Sequence, residues 1–213
     1  MKVTDLTHII SEDMPVYPGT EKPKLVCANT IENDGFKETV LNMYSHTGTH
    51  TDSPAHLFAD GKSLDRFSAQ SFCGSAVMLD CRHLGENGKV TKEMLCSLGE
   101  KLDNADFLIL RTGWEEYWKD DRYFCGFPCL DKEAAKFLAD KGKKGIGVDA
   151  ISVDPVGVPL DVHKILLGTD DFIIVENLCN LGLIGRNEFE LTVLPLRFQN
   201  ADGAPTRAIA IIR

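Results

Sequence analysis

At 213 residues the chain is long enough to bury a full hydrophobic core as one domain, without disulfides or structural metals. With 43% hydrophobic and 26% charged residues it reads as globular rather than disordered. A net charge of −9 argues against a nucleic-acid binder or a ligand of anionic membranes, which need basic patches to neutralise phosphates.

The chain opens with a β-rich run, Val3–Ile10, preceded by a single lysine. This start does not read as a secretory signal, and no window reaches the ~18–20 apolar residues that span a bilayer. Next comes Met14-Pro15-Val16-Tyr17-Pro18-Gly19, where two prolines and a glycine fix a rigid loop around Tyr17. A surface turn with a packed ring is the plain reading of that loop. Strands are expected at Leu25–Ile31 and at Thr39–Tyr44, the latter running directly into a histidine-rich segment.

Further strands are expected at Ala76–Leu79, Phe107–Leu110, Ile146–Val148, Phe172–Val175, Glu190–Leu194 and Ala208–Ile211. Helices are expected at Thr91–Leu98, capped by Thr91, at Asp131–Lys141, capped by Asp131 and ended by Gly142, and at Asp161–Leu167. Strands alternating with helices after a strand-rich first half predict a mixed α/β fold with a mixed sheet and flanking helices. No repeat, low-complexity run or linker divides the chain, so residues 1–213 are expected to form a single domain. Seven cysteines are an odd number in apolar contexts, and Cys125 and Cys129 lack a second pair to complete a zinc knuckle. All seven read as reduced thiols of a cytoplasmic protein.

The most informative segment is His46-Thr47-Gly48-Thr49-His50-Thr51-Asp52-Ser53-Pro54-Ala55-His56. Its three histidines and Asp52 lie at offsets 0, 4, 6 and 10, all even, so an extended chain presents them on one face. On a helix they would point to roughly 0°, 40°, 240° and 280° and split into two groups, and Gly48 and Pro54 oppose a helix in any case. A strand ending near His46, followed by a tight extended loop, is therefore expected. Two imidazoles and a carboxylate are the minimum donor set for zinc or a similar cation, with a position left open for water. Gly48 lets backbone approach closely, and the threonines can hydrogen-bond the donors. His8 and His83, isolated in the sequence, read as ordinary polar residues.

Residues 46–56 match every fixed position of H-x-G-T-H-x-D-x-P-x-H, and the chain resembles the cyclase family that contains the bacterial kynurenine formamidases. The Met14–Gly19 loop, Gly147–Asp154, His163–Gly168 and Val175–Leu181 extend the likeness over nearly the whole sequence. The resemblance implies an α/β fold of the swivelling β/β/α type, usually a homo-oligomer (dimer or tetramer), with one or two divalent ions per subunit, zinc foremost and manganese in some relatives. It implies that His46, His50 and Asp52 bind one metal, that Asp52 and Glu176 bridge to a second held by His163, and that His56 is the general acid/base. Without it, Glu176 would read as a solvated strand end and His163 as an exposed helix residue. Tyr17 stands where the kynurenine formamidases carry a substrate-binding tryptophan, so an aromatic platform is kept with a different area and a polar tip.

The expected activity is hydrolysis of a formamide or amide bond of a small aromatic substrate by metal-activated water, as in an arylformamidase. An isatin-type cyclic-amide hydrolase on the same site is the alternative, and a non-catalytic metal- or ligand-binding protein is the alternative from another class. A serine-nucleophile enzyme finds no Gly-x-Ser-x-Gly elbow. Asp149 and Asp154 flank a predicted strand end, where they could orient imidazoles; turn-capping is the preferred reading.

Overall fold

A computed structural model describes residues 1–213. Twelve strands alternate with five short helices. In chain order these are β1 (Lys2–Asp5), β2 (Lys24–Asn29), α1 (Ile31–Asp34), β3 (Glu38–Asn42), β4 (His50–Asp52), β5 (Cys73–Asp80), β6 (Lys89–Val90), α2 (Lys92–Cys96) and α3 (Glu100–Asn104). The second half continues with β7 (Phe107–Arg111), β8 (Cys129–Leu130), α4 (Lys132–Asp140), β9 (Gly145–Val148), α5 (Asp161–Leu167), β10 (Ile173–Glu176), β11 (Glu188–Pro195) and β12 (Gly203–Ile212).

Eight strands form one mixed sheet in the order β1-β12-β11-β5-β7-β9-β10-β4, and β4 also pairs with β12. That extra pairing closes the sheet on itself, so the edge strands that invite aggregation are largely consumed. The run β5-β7-β9-β10 is parallel, and β4, β11, β12 and β1 join antiparallel. The α/β expectation and the mixed sheet with flanking helices hold. The closure was not legible beforehand, because it depends on β12 meeting a three-residue strand some 150 positions earlier.

Sequence dictates which side of the sheet each residue faces. In β7, Leu108 and Leu110 point to a core shared with Leu138 of α4 and Val162 and Leu166 of α5. Phe107 and Ile109 point to the opposite core, where they meet Val175, Leu191 and the small Ala204, Ala208 and Ala210 of β12. Strands covered on both faces read as continuous apolar runs, as Phe107–Leu110 does. Asp131 caps α4 by accepting from Ala134 N at 2.7 Å, a contact of roughly 1 kcal/mol, and Gly142 takes the left-handed conformation that stops it. The β2–β3 hairpin belongs to neither core. It pairs only with itself and leaves Val26, Phe36, Val40 and Leu41 exposed.

The parallel strands share a direction, so the segments leaving β9 and β10 emerge on the same side, the usual place for a site in such sheets. Glu176 is the last residue of β10 and faces His50 across the β10–β4 ladder.

Candidate metal centre

Three backbone devices build the His46–His56 segment. The φ of Gly48, +68°, turns the chain between His46 and β4. β4 then holds His50 and Asp52 in extended register between β10 and β12. Pro54 starts a 3-10 turn, Pro54–His56, that swings His56 back over the site. The expected strand ending near His46 is corrected here. β3 stops at Asn42, the strand lies after His46 rather than before it, and only His50 and Asp52 are related by strand alternation.

The four side chains nevertheless converge, joined by two from more than a hundred residues away. His46 Nδ1 lies 2.7 Å and His50 Nε2 3.3 Å from Asp52 Oδ1. On the other side His163 Nε2 lies 3.6 Å from Asp52 Oδ2 and 3.2 Å from Glu176 Oε1, and His50 Nε2 is 3.4 Å from Glu176 Oε2. Three donor sets result: His46/His50/Asp52 and Asp52/His163/Glu176, which share Asp52, and a less buried His46/His56/Asp202 set beside them. His163 and Glu176 are buried, so the solvated readings that each would have taken alone do not hold.

The charges of the site suit a cation. Burial opposes charge on His46, yet Asp52 and Asp202 beside it raise its pKa to about 9. His50 rises to about 10 against the same penalty, through Asp52 and Glu176. Burial would also push the Asp52 carboxyl up, but His46 and His50 hold it well below the usual range. Carboxylates that draw protons onto neighbouring imidazoles in this way equally attract a divalent ion, which displaces those protons. Asp52 Oδ2, fully buried, has no hydrogen-bond partner, a costly arrangement for a carboxylate oxygen and one that fits a metal ligand. The residues therefore fit one or two divalent ions.

The imidazoles are held from behind. His50 Nδ1 donates to the carbonyl of Gly48 at 2.7 Å, and His163 Nδ1 to Asp154 Oδ2 at 2.7 Å, leaving both Nε2 atoms for the centre. Asp154 also accepts from the backbone N–H of Val162 and His163. The preferred turn-capping reading of Asp154 is thus incomplete, since it caps α5 and orients His163 together. Asp149 is the turn cap expected, accepting from Thr112 N, Thr112 Oγ1 and Gly113 N.

A cavity of about 520 Å³ opens over the centre. His56 and Tyr17 line it, with Tyr44, Val158 and Leu160 supplying further apolar and aromatic surface. The hydroxyl of Tyr17 accepts from Gly157 N at 3.3 Å, so the ring belongs to the cavity wall as well as to its own turn. His56 lies 4.0 Å from Asp202 Oδ2, and its ring centroid is 4.1 Å from that of His46. Burial lowers the His56 pKa, which favours the neutral ring. Sequence reasoning missed Asp202, whose Oδ2 accepts from His46 Nε2 at 3.0 Å. Its only local signal was an acid before a glycine at the start of a strand.

Comparison with known proteins places the chain in a wider set. The family described as "Putative cyclase" matches residues 4–155. A kynurenine formamidase of Bacillus mycoides is 32% identical over 207 residues, covering 96% of this chain and 95% of that protein. A solved structure of a potential metal-dependent hydrolase with cyclase activity superposes with a TM-score of 0.81 at 28% identity, over 98% of this chain and 96% of the other. Isatin hydrolase A from Labrenzia aggregata has a TM-score of 0.89 at 23% identity, over 99% and 93% of the two chains, a likeness of fold.

Proposed function

The chain belongs to the cyclase family, and from that premise we propose that it is a metal-dependent amidohydrolase that cleaves the formamide or amide C–N bond of a small aromatic substrate. The observation that carries this reading is the pair of donor sets sharing Asp52 at the floor of an aromatic-walled cavity. His46, His50 and Asp52 would hold one ion, and Asp52, His163 and Glu176 a second. Nitrogen and carboxylate donors suit zinc first, with manganese the alternative. When bound, a divalent ion lowers the pKa of water toward neutrality and polarises the substrate carbonyl.

The chain's own residues perform the remaining tasks. His56, neutral and facing the cavity, accepts the proton of the attacking water at a ring nitrogen. It returns that proton to the amine nitrogen as the C–N bond breaks. Tyr17 offers an aromatic face to the substrate ring, its hydroxyl tied to Gly157. Val158 and Leu160 exclude water from the apolar end. Residues 1–213 are read as one catalytic domain.

The exposed apolar hairpin β2–β3 supports a homo-oligomer, a dimer or tetramer, because an isolated two-stranded ribbon is marginal alone. Seven free cysteines support a cytoplasmic location. No helix is long and apolar enough to cross a membrane.

The test is hydrolysis of N-formylkynurenine, simple formanilides and isatin by zinc- or manganese-loaded protein, with metal content measured on the same sample. Formamide cleavage that chelation abolishes and metal restores is expected. Turnover of isatin alone would transfer the reading to cyclic amides. A fully loaded protein that hydrolyses none of the panel would leave a metal- or ligand-binding role.

A further inference from the structure

Behind His50, on the side away from the cavity, lies a polar chain in an otherwise apolar core. Asn177 directly follows Glu176 and takes a left-handed φ of +57°. It is buried, as is Tyr123, whose ring packs edge-on against Trp118 and Phe124. The Tyr123 hydroxyl donates to Asn177 Oδ1 at 2.7 Å, and Asn177 Nδ2 donates to the Gly48 carbonyl at 2.9 Å. That carbonyl is the one that accepts His50 Nδ1–H.

Asparagine tolerates left-handed backbone, so its presence at this φ needs no further explanation. Its amide orientation does. The Gly48 carbonyl can only accept, so the NH₂ group faces it, and the amide oxygen that this leaves on the other side takes the Tyr123 hydroxyl proton. A flipped amide would set two acceptors against each other at Gly48 and leave the Tyr123 hydroxyl to accept rather than donate. The Gly48 carbonyl, with two lone pairs, thus receives both Asn177 Nδ2–H and His50 Nδ1–H. Asn177 also fixes the segment through its backbone, donating to the Ala150 carbonyl and accepting from Thr49 Oγ1. Two buried polar side chains would be costly to retain for packing alone, since an apolar pair of similar shape serves a core as well.

We propose that Asn177, locked by Tyr123, is a positioning residue for the metal centre. It pins the carbonyl that sets the tautomer and ring plane of His50, and so aims His50 Nε2 between Asp52 and Glu176. The inference rests on the metal reading above and assigns a role to residues that no part of that reading uses. Because the Gly48 carbonyl lies on a glycine with left-handed backbone, it has no strand ladder to hold it, and the Asn177 amide supplies the missing restraint.

The test is cobalt(II) titration of full-length wild type, Tyr123→Phe and Asn177→Gly, followed by visible d–d absorption and by competition with a chelator. Tyr123→Phe keeps the packed ring, and glycine keeps the φ of +57°. Near-UV circular dichroism checks the fold of each. Wild-type stoichiometry with roughly 10–100-fold weaker affinity and an altered d–d spectrum is expected for both variants. A folded Tyr123→Phe with unchanged affinity and spectrum would overturn the proposal, even if it melts earlier, because a purely structural pair changes stability alone. If wild type takes up no cobalt, the metal reading itself fails, and the two failures remain distinct.

Discussion

The Asp154 carboxylate accepts from two groups of the same residue, the ring Nδ1 of His163 at 2.7 Å and its backbone N–H at 2.9 Å. The helix start and the imidazole are therefore held by one side chain, and orientation of the ring is fixed to the backbone that carries it. Asp154→Asn replaces one acceptor oxygen by a donor, so it opposes either the cap or the ring. A loss of about 1–2 kcal/mol in stability is expected from the cap, together with roughly 10–100-fold weaker metal binding. Zinc per subunit after dialysis against a weak chelator reads the second effect; full occupancy would sink the positioning role of Asp154.

Gly203 faces Asp52 across the β12–β4 ladder, and the His46 ring lies against it. A Cβ there would overlap Cε1, Nε2 and Nδ1 of His46, so the glycine serves close approach rather than a turn. Gly203→Ala should fold, since the three nearest atoms all belong to the His46 side chain rather than to backbone, and should push His46 off Asp52. Displacement by about 1 Å corresponds to roughly a 10²-fold loss in kcat/KM. The expected pattern is a normal melting profile with reduced metal content. A variant matching wild type in both would show that His46 is not a required donor.

Local physics made much of the fold legible, and long-range pairing accounts for what was not. The apolar runs Phe107–Leu110 and Ile146–Val148 fall within β7 and β9, and Asp161–Leu167 coincides with α5. Val3–Ile10 overran, because the chain leaves the ladder after Asp5 and Thr7 bonds instead to Ala208. The 46–56 segment carried its chemistry in its own spacing. His163 and Glu176 did not, because their place beside Asp52 depends on α5 and the end of β10 meeting β4, and a lone histidine after a helix start has no local mark of burial. Asp202 was invisible for the same reason, being brought to His46 only by barrel closure.

His56 lies outside the two donor sets that share Asp52, groups with His46 and Asp202 instead, and reaches the cavity from the 3-10 turn Pro54–His56. His56→Ala should keep its metal and lose roughly 10²–10⁴ in kcat. Simultaneous loss of metal would identify it as a ligand. Burial lowers its pKa below 6.5, and a general base works only when neutral. The acid limb of kcat/KM on a non-ionising formanilide should therefore fall below pH 6.5 in the wild type. A limb above pH 7 would assign the proton transfer to another group.

His8 stacks on Trp118 with ring centroids 3.7 Å apart and planes within 8°, and its buried Nε2 has no partner. It is thus less ordinary than its isolation in the sequence suggests, while His83 is exposed as expected. Burial lowers the His8 pKa to about 4. The folded state then resists protonation while the unfolded chain accepts it near 6.5, so the unfolded chain binds more protons between those values. Stability from this group is complete above about pH 6.5 and is lost as pH falls toward 4, by at most about 3 kcal/mol. His8→Phe keeps a flat ring on Trp118 and removes the titration. Melting temperatures of the two proteins should be similar at pH 7.5 and diverge at pH 5, with the phenylalanine variant higher. The backbone N–H of His8, which the variant keeps, donates to Thr49 Oγ1 at 2.9 Å, one residue before His50. Parallel melting curves from pH 7.5 to 5 would mean that His8 remains neutral in both states or is freely solvated, contrary to the stacked geometry.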